Sequence, residues 1–194
     1  NLDHAISLQP DHLSLYCLTL EPNTAFYKKH LKGQLDVPSD DAQVEMYDQA
    51  VCAAAAAGYS QYEISNFARP GKECQHNLAY WRCEDYAGYG PGAVGCLGGV
   101  RATNIKHPER YVEAIDLGAE LKCESETISS DVKRLEFIML GLRLNEGLMI
   151  DALDLDGKKV NLLSERGWIS RNHETLRLTK VGRHFCSEVA LELA

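Results

Sequence analysis

Residues 12–20, His-Leu-Ser-Leu-Tyr-Cys-Leu-Thr-Leu, form a near-continuous run of apolar and β-favouring side chains between Pro10-Asp11 and Glu21-Pro22-Asn23. Such a run reads as a strand buried on both faces, which is the habit of a parallel sheet. Asp40 and Gln43 then stand as a capping-box-like pair ahead of Val44, Tyr47, Val51 and Ala54, spaced by three and four and halted by Gly58. That pattern predicts an amphipathic helix. Residues 62–67 alternate as a second strand, so strand, helix and strand follow one another as an α/β unit with a right-handed crossover.

The character of the chain then changes. Residues 68–99 are rich in Gly, Pro, Asn, Tyr and Trp, an irregular aromatic segment of the kind that carries binding residues. From about His107 the pattern turns helical. Residues 111–117 and 131–144 read as helices, the second with Val132, Leu135, Met139 and Leu142 on one face. A helix ending near Gly167, a strand over 168–170, a turn at 171–173, a strand over 176–178 and a helix capped by Thr179 complete the chain. Helix, hairpin, helix suggests a small winged-helix-like module.

Composition excludes several classes. With 194 residues, 45% of them hydrophobic and 25% charged, the chain can bury a real core. Its most apolar stretch, residues 51–57, is mostly alanine and too short to cross a bilayer, so no stable membrane insertion is expected. A net charge of −8 disfavours nucleic acid. The seven cysteines are scattered singly, with no C-x-x-C pair, and read as reduced cytoplasmic thiols rather than a disulfide framework or metal knuckle. The start, Asn1-Leu2-Asp3-His4, has no initiator methionine or signal peptide and reads as a fragment.

Three motifs follow in order: residues 62–71, Tyr-Glu-Ile-Ser-Asn-Phe-Ala-Arg-Pro-Gly; residues 76–81, His-Asn-Leu-Ala-Tyr-Trp; and residues 88–93, Gly-Tyr-Gly-Pro-Gly-Ala. Together they resemble the oxygen-independent coproporphyrinogen III oxidase-like family of radical SAM proteins. Residues 15–22 resemble that family's last barrel strand, and residues 137–143 its C-terminal domain. The resemblance implies an α/β fold: the C-terminal part of a partial (β/α) radical SAM barrel over 1–106, followed by a mainly helical, winged-helix-like HemN-type domain over 107–194. It further implies S-adenosylmethionine and a [4Fe–4S] cluster in the intact protein. The cluster's cysteine motif belongs to a part of the family absent here, so no metal site is expected in this chain.

Within the family the H-N-x-x-Y-W pattern resembles the heme-chaperone branch. The resemblance assigns His76, Asn77, Tyr80 and Trp81 to heme binding, and it places Thr19, Gly90, Gly92, Ala93 and Val94 beside the S-adenosylmethionine pocket. Many chaperone-branch relatives carry histidine where this chain has Val94. The chemistry suits the first assignment, since an imidazole is a good axial ligand for heme iron and two aromatic rings can stack on a flat macrocycle. The same residues also suit a plainer role, with His76 and Asn77 satisfying backbone groups and the aromatics filling a core. Gly88, Gly90, Gly92 and Gly95 equally suit a tight loop needing positive φ. Glu63 and Arg69 either pair with each other or meet a carboxylate.

Three functions stay open at this point. One is a heme chaperone, passing heme to an acceptor protein and forming a homodimer. Another is a radical enzyme that oxidises coproporphyrinogen III to protoporphyrinogen IX. The third is a winged-helix DNA-binding module.

Overall fold

The computed structural model describes residues 1–150 and 153–194. The chain divides into two compact units, Asn1–Cys74 and Gln75–Ala194.

The first unit contains α1 (Leu2–Ser7), β1 (His12–Ser14), α2 (Ala25–Leu31), α3 (Asp40–Ala56), β2 (Ser60–Gln61) and β3 (Asn66–Ala68). Its sheet has the order β1-β3-β2 with both pairings antiparallel, which corrects the expected parallel pairing. The reason is local. The segment expected to run straight over 62–67 instead folds back, with the Tyr62 N–H donating to the Asn66 carbonyl at 3.1 Å. Glu63 fixes this reversal from inside: its fully buried carboxylate accepts the Ser65 N–H at 2.7 Å and the Asn66 side-chain amide at 2.5 Å. A strand leaving such a turn must run against its predecessor.

The first strand is also shorter than expected. Ladder pairing covers His12–Ser14, and one further backbone bond joins the Leu15 N–H to the Ser65 carbonyl at 2.8 Å. Residues 15–20 leave the sheet, and Tyr16 and Leu18 are exposed. The cap of α3 lies one residue before the expected Asp40: the Ser39 hydroxyl accepts the Ala42 N–H at 3.3 Å. Gly58, at φ +85°, ends that helix region as expected. Leu13, Ala54, Tyr59 and Phe67 make the core, with Val51 and Leu15 packed against them.

The second unit begins with α4 (Gln75–Trp81), a helix inside the segment expected to be irregular. A three-stranded antiparallel meander follows, β4 (Val94–Leu97), β5 (Val100–Asn104) and β6 (Lys122–Thr127), with α5 (Pro108–Asp116) between the last two. Gly98 and Gly99, at φ +58° and +78°, make the two-residue turn between β4 and β5, the primed geometry that matches strand twist. Residues of β6 are exposed throughout and carry alternating charge, which blunts the sheet edge.

The remaining elements are α6 (Ser130–Gly141), β7 (Leu148–Met149), α7 (Gly157–Glu165), β8 (Ile169–Arg171), β9 (Thr175–Leu178), a 3₁₀ turn (Gly182–Phe185) and α8 (Cys186–Leu193). The sheet order is β7-β9-β8. Ile138, Leu142, Leu148, Val160, Leu163, Leu176 and Val189 are fully buried among these elements. The Thr179 hydroxyl accepts the Gly182 N–H at 3.0 Å, but the element that follows is a 3₁₀ turn whose N-cap is Val181, not the helix expected to be capped by Thr179. On α6 the buried face runs through Ile138 and Leu142, while Val132 and Met139 are 41% and 44% exposed. The apolar face expected on that helix is therefore split. Among the described residues no helix is long and apolar enough to cross a membrane.

Candidate functional site

The short helix α4 presents the H-N-x-x-Y-W residues on two sides. His76 and Tyr80 lie one turn apart and meet edge to face, ring centroids 4.8 Å apart at 86°. His76 is exposed, and Tyr80 is half-buried. Tyr80 in turn contacts Tyr86 at 4.3 Å. Asn77 and Trp81, also one turn apart, belong to the neighbouring face. The Trp81 ring is covered by the Arg143 guanidinium at 4.5 Å, and its indole nitrogen is buried without a hydrogen-bond partner among the described residues. The four residues expected to act together thus form two pairs, and one face of the Trp81 ring carries the Arg143 guanidinium.

Beside Tyr80 lies a cavity of about 450 Å³. Tyr80 and Tyr86 line it together with Val132, Leu135 and Met139 of α6, the apolar side chains that the helix leaves outside its core. Two thiols, Cys83 and Cys96, also face it. Cys83 sits at φ +55°, an unusual conformation for a residue with a side chain, and burial pushes its thiol pKa up. The ionic element is Arg101, whose guanidinium holds Glu136 through contacts of 2.7 and 2.8 Å and reaches Glu126 at 3.2 Å. The hydrogen bond to Glu136 drives its pKa upward, so this cation is committed. Burial likewise raises the Tyr86 phenol. Sequence reading missed these cavity residues: β5 supplies Arg101 and α6 supplies Glu136, 35 positions apart, and no local pattern joins them. The odd stripe of Val132 and Met139 was the one available signal.

The glycine loop is explained by its own packing. A side-chain carbon at Gly88 would lie 2.5 Å from the Val94 carbonyl oxygen, and one at Gly95 would lie 2.9 Å from the Gly88 nitrogen. Gly90 and Gly92 have φ of +101° and +69°. Backbone donors in the loop are engaged: Gly90 N–H donates to the Tyr111 hydroxyl at 3.3 Å, Gly92 N–H to the Ile105 carbonyl at 3.0 Å, and Ala93 N–H to the Gly90 carbonyl at 3.3 Å. The Asn104 amide ties the Gly88 and Gly90 carbonyls at 3.1 Å each. S-adenosylmethionine would therefore find no spare backbone donor at 90, 92 or 93, although the Val94 side chain is 37% exposed.

The other sequence-selected residues belong to the first unit. Thr19 is exposed and outside any strand in the first unit. Glu63 serves its own turn, and the Arg69 guanidinium lies 4.9 Å from the Tyr59 ring, so of the two alternatives the sequence left open for them, pairing with each other is not the one seen. Among the described residues no group of three or more His, Cys, Asp or Glu is arranged to hold a metal ion.

Comparison with known proteins is consistent across its length. Residues 128–185 match the model of the HemN C-terminal domain. A protein named heme chaperone HemW from Bacillus subtilis is 34% identical over 198 residues, covering 97% of this chain and 52% of the relative. Its namesake from Mycobacterium tuberculosis is 34% identical over 195 residues, covering 100% of this chain and 50% of the relative. The chain thus spans about half the length of the curated relatives it matches. Among solved structures, coproporphyrinogen III oxidase (HemN) from Escherichia coli, described as a radical SAM enzyme, superposes with a TM-score of 0.71 at 18% identity, covering 99% of this chain and 50% of that one. That likeness concerns the fold.

Proposed function

This chain belongs to the oxygen-independent coproporphyrinogen III oxidase-like family of radical SAM proteins, and from that premise we propose that the protein binds heme as cargo, as a heme chaperone. The observation that carries the reading is His76. Its imidazole is exposed, stands with its ring edge-on to Tyr80, and can reach the iron of a porphyrin that approaches from solvent. Names of the curated relatives support the same reading.

In this reading the intact protein holds S-adenosylmethionine and a [4Fe–4S] cluster, which when bound supply one-electron chemistry. Thr19, Gly90, Gly92, Ala93 and Val94 would be van der Waals neighbours of the first rather than its hydrogen-bond donors. The division into a barrel portion over 1–106 and a HemN-type domain over 107–194 belongs to the proposal, as do a cytoplasmic setting, a heme-acceptor protein and a homodimer. In the same reading the C-terminal helices and the β7-β9-β8 sheet form a winged-helix-like module. We assign that module to packing within the protein, because the chain's net charge of −8 opposes a phosphate backbone.

Heme titration followed at the Soret band tests the reading in the full chain. His76→Ala should weaken binding and change the spectrum, because loss of an axial nitrogen alters the iron's coordination. Trp81→Leu should leave the spectrum as it was. Unchanged affinity and an unchanged spectrum in His76→Ala, with folding intact by circular dichroism, would remove His76 as ligand. A parallel assay for coproporphyrinogen III turnover separates the chaperone from the oxidase, and turnover without stable heme binding would favour the enzyme.

A further inference from the structure

We infer that the porphyrin is seated in the cavity between the Tyr80–Tyr86 pair and α6, with its macrocycle against Val132, Leu135 and Met139, and not on the Trp81 ring. The inference rests on the proposed heme binding and names where on this chain the macrocycle lies.

Four observations carry it. The first is continuity: His76 touches Tyr80, and Tyr80 is a wall of the cavity, so one side chain joins the proposed ligand to the recess. The second is size and lining. About 450 Å³ falls among ligand-binding pockets, and such pockets join aromatic and aliphatic walls to a few polar groups. Third, α6 leaves Val132 and Met139 outside its buried face, at 41% and 44% exposure, while its core contacts are made by Ile138 and Leu142. A planar apolar ligand would cover that stripe. Fourth, one face of the Trp81 ring is already covered, since Arg143 lies 4.5 Å from its centre.

Charged residues of both signs line the cavity, Glu84, Asp85 and Glu136 beside Lys133 and Arg101. Lys133 lines the cavity and has no ion-pair partner among the described residues, whereas Arg101 is held by Glu136 and Glu126. An ammonium at the rim of an apolar recess suits a porphyrin, whose flat body is apolar and whose carboxylates lie at its edge. Cys83, Cys96 and Met139 line the same space, and such sulfur-bearing side chains are soft and polarisable.

The thiols make the proposal measurable. Cys83 and Cys96 are partly buried at the cavity, whereas Cys52 and Cys123 are exposed elsewhere and serve as internal references. The full chain is treated with iodoacetamide with and without gallium protoporphyrin IX, which cannot oxidise thiols through its metal, and alkylation is read peptide by peptide. With the porphyrin at roughly ten times its Kd, about one pocket in eleven stays open, so alkylation of Cys83 and Cys96 should fall about tenfold while Cys52 and Cys123 are unchanged. Val132→Glu places a carboxylate on the stripe at a position 41% exposed, which the unliganded fold can accommodate, and it should weaken porphyrin binding about tenfold with an unaltered circular dichroism spectrum. Porphyrin binding that depends on His76 but leaves Cys83 and Cys96 fully reactive would overturn the seat and leave the heme reading standing. Unchanged affinity in Val132→Glu would overturn it equally. Absence of any porphyrin binding would remove both the seat and the reading beneath it.

Discussion

A methyl group at Gly88 would lie 2.5 Å from the Val94 carbonyl oxygen and 2.6 Å from its carbon, and both atoms belong to backbone that is paired on its other side with Thr103. Neither can yield cheaply. Gly88→Ala should therefore destabilise the chain by about 1–3 kcal/mol, the range for forced overpacking, seen as a lower urea midpoint with an unchanged slope. Wild-type stability in that variant would mean the loop has room to open. The residue type was legible from the sequence, since a cluster of glycines announces a special backbone, but the partner was not. Gly88 is small because Val94 and Gly95 approach it, a fact of tertiary contact. Similarly, Trp81 was visible as a large aromatic, yet the guanidinium above it comes from Arg143, 62 positions later.

The turn joining β2 to β3 decides the topology of the first unit. Asn66 is the link: its side-chain oxygen accepts the Ser14 hydroxyl at 2.6 Å, while its amide donates to Glu63 at 2.5 Å. One buried side chain thereby joins the turn to β1. Asn66→Ala should cost about 1–3 kcal/mol, because it leaves buried polar groups short of a partner, and the loss should appear as faster amide exchange across β1 and β3. Retained exchange protection there would show that the turn holds without it. Other elements differ in how far the sequence revealed them. The helix α3 declared itself through apolar spacing and a cap. The strand β6 did not, since Lys-Cys-Glu-Ser-Glu-Thr has no apolar alternation; it pairs with β5 because that neighbour supplies the ladder. The stripe on α6 looked continuous in sequence because one helical face can serve a core and a cavity at once.

At the scale of the chain, 194 residues carry a net charge of −8 and span about half of the relatives they match. Given iron, sulfide and reductant without oxygen, this chain should produce no 5′-deoxyadenosine from S-adenosylmethionine, because a [4Fe–4S] cluster needs several thiolates in one place and the described residues bring no such group together. Cluster-dependent product would refute that. What the sequence determined by itself was whatever depends on local order: the α/β mixture, the helix of residues 40–56 and three ordered motifs that mark the family. Tertiary structure alone decided the pairing of β1 with β3, the cation over Trp81 and the cavity against α6. These depend on where distant segments meet. Local propensity is set by a few neighbouring residues, whereas a cavity wall or a buried hydrogen bond needs partners that chain topology alone brings within reach.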